Sequence, residues 1–426
     1  MMICCLGFSI EVQAAEGINV EYHTQEEIVK YLKNSGSNTS AKVSYEVEPS
    51  FEVPFDSGSL SDETLDSAIK MLNQIRYIAG ISHDVTLSDT YNEMVQAAAM
   101  VNYVNDALSH YPSQPAGMSD DLYELGVLGA RQSNIAWASW RGCSLNWTMV
   151  NSWMEDGDDS NISRVGHRRW MLNPSMSQTG FGSVYGDNGT YSAVYAFDKS
   201  NTSAGEYGVA WPAQNMPINY FGKGFPWSIS MGKMVDQSSV SVTLTRKRDG
   251  KQWKFSSASA DGVFYVNNDG YGQSGCIIFR PGDIDGYQPG DIFSVEIEGV
   301  STSKVSYEVH FFDPEQSGLN KAEDGKWYYY IDGVVDNTYT GMAKNAYGWW
   351  YVTNGKLDTN YTGMAKNAYG WWYMKNGKLD QTFTGVAKNE YGYWYMQKGA
   401  LAKNYTGMIQ YNGKMYNVKK GKVDIN

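Results

Sequence analysis

Gly348-Trp349-Trp350-Tyr351-Val352-Thr353-Asn354-Gly355-Lys356-Leu357-Asp358 returns 22 residues further on as Gly370-Trp371-Trp372-Tyr373-Met374-Lys375-Asn376-Gly377-Lys378-Leu379-Asp380. Gly341, Gly363, Gly385 and Gly407 keep the same period. A unit this short cannot build a core alone, so the spacing predicts a stacked array rather than a globular domain. Each unit reads as an aromatic strand, an Asn-Gly turn, a Lys-Leu-Asp strand and a Thr-Gly link, with Lys398-Gly399 replacing Asn-Gly in the third unit. That pattern predicts one β-hairpin per repeat. A lone hairpin cannot hide its aromatic face from water, so the hairpins stack and leave rows of aromatic side chains. Trp327, Trp349, Trp350, Tyr351, Trp371, Trp372, Tyr373, Tyr393, Trp394 and Tyr395 are the candidate ligand-binding residues of those rows, suited to sugars or quaternary amines. Stacking itself also needs some of them as glue between hairpins.

The repeats resemble the cell-wall-binding, choline- or glucan-binding repeats of secreted Gram-positive proteins, over about a quarter of the chain. The resemblance implies docking on wall polymer: peptidoglycan, teichoic acid or glucan. Charge follows the same division. From Asn320 onward there are 14 Lys against 8 Asp and Glu, a net of +6, whereas residues 1–319 carry 20 basic and 38 acidic groups, a net of −18. The basic tail suits an anionic or sugar-rich polymer, or simply solvates the hairpin edges, and the acidic body argues against nucleic acid as a partner.

Met1–Ile10 are apolar and lead to Val12-Gln13-Ala14-Ala15, so residues 1–15 read as a signal peptide that is expected to begin upstream of Met1, since no Lys or Arg precedes the apolar run. The run is too short for a transmembrane anchor, which points to a secreted, wall-associated protein. Loss of the leader removes Cys4 and Cys5 and leaves Cys143 and Cys276 in separate segments, giving neither a disulfide framework nor a zinc ribbon.

Between leader and tail the periodicity changes. Residues 16–60 carry a short helical pattern at Glu26–Leu32 and an alternating stretch at Val43–Val47. Ser61 caps a predicted helix whose stripe is Leu65, Ile69, Leu72, Ile75 and Ile78, ending at Gly80. Ser88 and Asp89 open a second, with Tyr91, Met94, Val95, Ala98, Val101, Val104 and Leu108 on its apolar face, ending at Ser109–Pro112. A further helix is predicted from Asn146 through Trp153, then strands at Gly180–Tyr185 and Tyr191–Phe197.

Leu72-Asn73-Gln74-Ile75-Arg76, His110, Ser133-Asn134-Ile135-Ala136-Trp137, Trp153 and Gly166-His167-Arg168, in that order over roughly residues 65–200, resemble the CAP (SCP, PR-1-like) superfamily. The resemblance implies an α-β-α sandwich with a cleft where His110 and His167 face each other beside acidic residues. Ser133 stands where the family often has glutamate, in Gln132-Ser133-Asn134. Glu155 is the candidate for the other acid and Asp156 its alternative, because helix register is not fixed to one residue by sequence. His110, His167 and Glu155 with water would form a weak zinc-type site for a divalent cation. Ser133 as nucleophile is the less favoured chemistry, since no Gly-x-Ser-x-Gly elbow surrounds it. Arg168 and Arg169 are read as one pairing with the Asp156, Asp158, Asp159 cluster and one solvated, and Asp158, Asp159 and Asn161 as a polar turn rather than a calcium loop.

Residues 220–312 switch to short β runs at Val240–Thr245, Trp253–Phe255, Val263–Val266, Cys276–Phe279, Ile292–Ile297 and Val305–Phe312, separated by Gly, Pro and Asp turns. An antiparallel β-sandwich is predicted, with Trp227 and Phe225 at a binding surface or an interdomain seam. The chain is therefore expected to be a multidomain α+β protein: residues 1–15 a signal peptide, 16–60 an N-terminal segment, 61–218 a CAP-like α-β-α sandwich, 219–313 an accessory antiparallel β-sandwich, and 314–426 a β-hairpin repeat solenoid. Three functions stay open. The cleft binds a small apolar, glycan, lipid or protein ligand while the tail anchors; or it is a metal-assisted hydrolase of peptide or wall polymer; or the chain is a glycan-binding adhesin. Non-catalytic binding is favoured.

Overall fold

The computed structural model describes residues 15–300, 304–322 and 324–425. The expected leader, apart from Ala15, lies outside the described residues, as do Cys4 and Cys5. The chain is mixed helix and strand and divides after Phe312 into two compact units. No helix among the described residues is long and apolar enough to cross a membrane.

In the first unit the predicted caps form as the residues dictate. Ser61 accepts a hydrogen bond from the Thr64 N–H at the start of helix Asp62–Ile78, and Ser88 accepts one from Tyr91 at the start of Asp89–Val104. Thr24 and Glu27 close a reciprocal capping box on helix Gln25–Ser35. The second helix stops at Val104, five residues before the predicted boundary region, and Leu108 is exposed rather than on its apolar face. A helix the periodicity analysis did not find, Asp120–Arg131, packs across it. Gly126 and Gly129 permit that approach, because a Cβ on either would collide with the backbone of the neighbouring helix. Helix Asp89–Val104 is consequently buried on all sides from Met94 to Tyr103.

Its other face lies on an antiparallel sheet ordered Ser133–Ala138, Gly189–Tyr195, Phe181–Gly186. Val95, Ala98, Ala130, Ile135 and Ala193 form one core cluster there, and Met100, Val101, Val184 and Tyr191 another. A four-residue helix, Leu145–Thr148, runs into a π-helical turn, Met149–Trp153, that contacts the Ser133–Ala138 strand.

Two further sheets follow in the same unit. One is ordered Gly262–Asn267, Cys276–Pro281, Trp227–Ser230, Val209–Trp211; the other Gln252–Ser256, Ser241–Arg246, Ile292–Glu298, Val305–Phe312, with Asn215–Pro217 added in parallel. Val209–Trp211 and Asn215–Pro217 belong to residues 61–218 by sequence, yet pair with strands beyond 219. Trp227 is fully buried in an aromatic cluster with Phe221, Phe279, Tyr287, Phe293 and Phe311, and its indole N–H donates to the Tyr287 hydroxyl at 2.7 Å. It therefore packs a core and offers no binding surface. Cys143 and Cys276 are buried free thiols.

The second unit is a run of antiparallel hairpins in a single 15-stranded sheet among the described residues. Each full unit has three strands rather than two, for example Gly341–Asn345, Gly348–Thr353 and Lys356–Leu357, because the Thr-Gly segment read as a link is itself the start of a strand. Asn354-Gly355, Asn376-Gly377 and Lys398-Gly399 all adopt two successive left-handed conformations. That is the turn a two-residue hairpin needs, and it shows the lysine substitution leaves the geometry unchanged. Neighbouring units are joined by hydrogen bonding, the Trp350 position of one strand pairing with Lys378 of the next unit's short strand.

Candidate functional site

His167 sits in the first turn of the short helix Gly166–Met171. Val165 immediately before it has φ 41°, a left-handed conformation unusual for a β-branched residue, and is held there by complete burial against Cys276 and Ile278. The Nδ1 of His167 lies 2.8 Å from Asp156 Oδ1, while Asp156 Oδ2 accepts the Arg168 N–H at 3.1 Å. Asp156 is buried and also has a positive φ, 51°, just beyond the π-helical turn. Asn134 donates its side-chain amide to the His167 carbonyl at 2.9 Å, tying the sheet to the histidine helix.

His110 approaches from the segment after helix Asp89–Val104. Its Nδ1–H donates to the Ala130 carbonyl at 2.6 Å, which leaves Nε2 as the acceptor of the neutral ring. Desolvation holds this imidazole below its usual pKa; His167 and Arg164 act in the same direction and the Ala130 carbonyl in the opposite one.

His110, His167, Ser133 and Asn134 line one cavity of about 240 Å³ together with Tyr111, Arg131, Asn161, Arg164, Trp170, Phe197 and Tyr271. Two imidazoles and two guanidiniums thus meet an aromatic wall, and among the described residues no carboxylate lines the cavity. Trp170 stacks on Phe197 with centroids 4.5 Å apart, and Tyr271 meets Trp170 edge-on at 6.4 Å. The Ser133 hydroxyl is buried without a hydrogen-bond partner among the described residues, so it forms no activating bond to either histidine.

Arg131, Arg164, Phe197 and Tyr271 were not among the sequence candidates. Tyr271 comes from the β-rich segment, whose loop is clamped by Arg169: its guanidinium donates to the Asn267 side chain at 2.6 Å, to the Gln273 carbonyl at 2.6 Å, and to the Asp269 carbonyl. Arg168 is likewise buried, donating to the carbonyls of Met154 (2.8 Å), Glu155 (2.6 Å) and Pro226 (2.6 Å) and to Ser228 Oγ at 2.9 Å. Neither arginine is solvated and neither side chain pairs with the aspartate cluster. Backbone carbonyls take most of their donors, with Ser228 Oγ and Asn267 Oδ1 as side-chain acceptors, while the Arg169 Nε is buried without a hydrogen-bond partner among the described residues. Asp158 accepts from Ser160 and Asn161, as a polar turn should.

Glu155 is not with the histidines. It lines a different cavity, with Trp137, Trp140, Trp147, Asp156 and Asp158. Among the described residues no group of three or more His, Cys, Asp or Glu side chains is placed to hold a metal ion. His110, His167 and Glu155 therefore do not fit a zinc-type site.

In the array the candidate aromatics separate into three kinds. Tyr351 stacks on Tyr361 at 3.5 Å and Tyr373 on Phe383 at 3.6 Å, which makes them glue within the sheet. The indole N–H groups of Trp350, Trp372 and Trp394 donate to Asn345, Asn367 and Asn389, and lysines lie over the rings of Trp350 and Trp394. Trp327, Trp349 and Trp371 instead meet Tyr347, Tyr369 and Tyr391 edge-on at 5.8, 6.2 and 6.2 Å. Those three tyrosines are exposed, and sequence reasoning passed over them although they share the same period. Tyr393 takes the equivalent tryptophan position in the third unit and lies under Lys388.

Residues 69–198 match the model of the cysteine-rich secretory protein family, CAP, and residues 338–358, 360–380 and 382–401 match the choline-binding repeat. A search of the curated proteins finds no match. Among solved structures, the N-terminal Ig1-2 module of the Drosophila receptor protein tyrosine phosphatase DLAR is 12% identical, covering 43% of this chain and 90% of that one at a TM-score of 0.14, a likeness that carries no argument.

Proposed function

We propose that this chain, which carries a CAP domain followed by choline-binding repeats, is a secreted, wall-associated binding protein: the repeats dock on choline-bearing wall polymer and the histidine cleft holds a small ligand with an anionic group and an apolar body. In this reading residues 1–15 are a signal peptide, 16–60 an N-terminal segment, 61 to about 200 a CAP-like α-β-α sandwich, the following residues to 313, with Val209–Trp211 and Asn215–Pro217 in its sheets, an accessory β-sandwich, and 314–426 a repeat solenoid. The observation that carries the cleft assignment is its lining. Arg131 and Arg164 supply charge-assisted donors, His110 and His167 two imidazole rings, the unpartnered Ser133 hydroxyl a further donor, and Trp170, Phe197 and Tyr271 an apolar wall. For the repeats, the edge-on Trp–Tyr pairs present exposed aromatic surface at regular intervals, a surface that attracts a quaternary ammonium.

Binding is favoured over hydrolysis because the groups needed for nucleophilic or metal-water attack are not assembled: Ser133 has no base bonded to it, and Glu155 lies in another cavity. The test uses the full chain. Dodecyl phosphate should bind about tenfold more tightly than dodecanol, and Arg164→Ala should remove most of that preference. Sedimentation with choline-containing walls should be abolished by Trp349→Ala with Trp371→Ala and by free choline. Equal binding of the two amphiphiles overturns the cleft assignment, and sedimentation indifferent to choline overturns the docking assignment.

A further inference from the structure

Behind the Asp156–His167 pair lies the second cavity, about 320 Å³, whose walls include Trp137, Trp140, Trp147, Glu155, Asp156 and Asp158. Three tryptophans on a folded protein normally bury most of their surface; here Trp137 is 51% exposed, Trp140 49% and Trp147 36%. Exposed indoles gathered on a cavity mark a recognition surface. What they recognise follows from geometry and charge together. Trp140 and Trp147 meet at 80° with centroids 5.1 Å apart, so they form two walls of a corner rather than one flat platform. A platform suits the flat face of a pyranose, whereas a corner encloses a rounded group. The Trp137 indole N–H already donates to the Asn188 carbonyl at 3.0 Å, which leaves its ring face, not its donor, for a ligand.

Every ionisable group on the lining is a carboxylate; no Lys, Arg or His contributes. Asp156 is committed to His167 and the Arg168 N–H, and Asp158 to its own turn, but the Glu155 carboxylate has no such bond among the described residues. Its carboxyl is held above the usual range chiefly by burial and then by Asp158, with Arg168 and Arg280 acting in the opposite direction and Asp156 adding to the repulsion. A partly desolvated carboxylate beside a like charge, facing aromatic rings, is stabilised by a cation that sheds water easily.

We propose that the Trp137–Trp140–Trp147 cavity binds a small quaternary ammonium group, with the indole faces enclosing the alkylated nitrogen and Glu155 balancing its charge. The site is separate from the histidine cleft and from the repeats, and it stands whether or not either of those assignments holds.

Titration of the full chain with tetramethylammonium, followed by calorimetry, tests it. Trp140→Ala and Glu155→Gln should each weaken one class of site by about 5- to 30-fold, while Trp349→Ala with Trp371→Ala leaves that class intact. The uncharged isostere 3,3-dimethylbutanol should bind at least several-fold more weakly than choline at this class. Glu155→Gln preserves side-chain shape, so it remains decisive if the tryptophan variant fails to fold. Tetramethylammonium binding unchanged by Glu155→Gln overturns the proposal, as does equal affinity for the alcohol or a site that takes neutral oligosaccharide in place of the cation.

Discussion

The histidine cleft and the tryptophan cavity of the first unit are linked through one carboxylate and differ in charge. One is lined by Arg131, Arg164, His110 and His167, the other by Glu155, Asp156 and Asp158, and both are finished with aromatic rings. Asp156 touches both: its carboxylate lines the tryptophan cavity and bonds to the histidine that lines the other. Opposite fields a few residues apart are arranged by backbone, since Glu155 and Asp156 are neighbours in sequence. The lesson is that a buried carboxylate between two sites acts as a partition, supplying a counter-charge to one side while presenting its bonded partner to the other.

The largest expected effect comes from removing what holds the partition. Arg168→Met leaves the carbonyls of Met154, Glu155 and Pro226 without a donor and should lower unfolding free energy by more than about 3 kcal/mol in urea melts, with both probe sites lost. A change under about 1 kcal/mol would mean the clamp is dispensable. Neutralising the partition itself, Asp156→Asn, should weaken tetramethylammonium and strengthen dodecyl phosphate by several-fold each, about 0.5–1.5 kcal/mol in opposite directions. If both affinities move together, the change reflects structural damage and the two cavities are not related by charge.

The smallest effect is a pair of opposed pH slopes. His110 is depressed below its ordinary value, by desolvation first and then by His167 and Arg164, so as pH falls below 6.5 the unfolded state takes up its proton more readily and this residue's contribution to stability declines. His110→Gln should flatten that part of the stability profile. Below 6.5 a ligand of fixed negative charge increasingly favours the protonated ring, so binding of dodecyl sulfate, which does not titrate in this range, should strengthen. Glu155 is raised above 4.5, so tetramethylammonium binding should weaken over the same descent, beginning above the ordinary carboxylate range. Parallel slopes would contradict the contrast between the cavities.

Much of this was readable in the residues. Ser61 and Ser88 marked helix starts because a side-chain oxygen before an apolar stripe has one main use, and the hairpin period left little freedom in the tail. His110 and His167 do meet at one cavity. Helix Asp120–Arg131 escaped because Gly126 and Gly129 lower helix propensity while serving close packing, so the local signal opposes the tertiary reason. Its Ser119-Asp120-Asp121 start was the available clue, and Ser119 indeed caps it. Glu155 and its alternative Asp156 could not be told apart from sequence because the π-helical turn Met149–Trp153 inserts an extra residue into the register, which a regular helical projection does not anticipate; it is Asp156 that bonds to His167. Tyr271 lay beyond any local pattern, since it reaches the cleft from about a hundred residues downstream of His167.

The Trp350–Lys378 pairing has a consequence for how such a tail changes over generations. Each repeat offers the next one the same edge it received, so a tandem duplication or deletion of 22 residues leaves both flanking edges compatible. Reach and valency can then vary by whole steps while the acidic body, with its histidine cleft and tryptophan cavity, stays untouched.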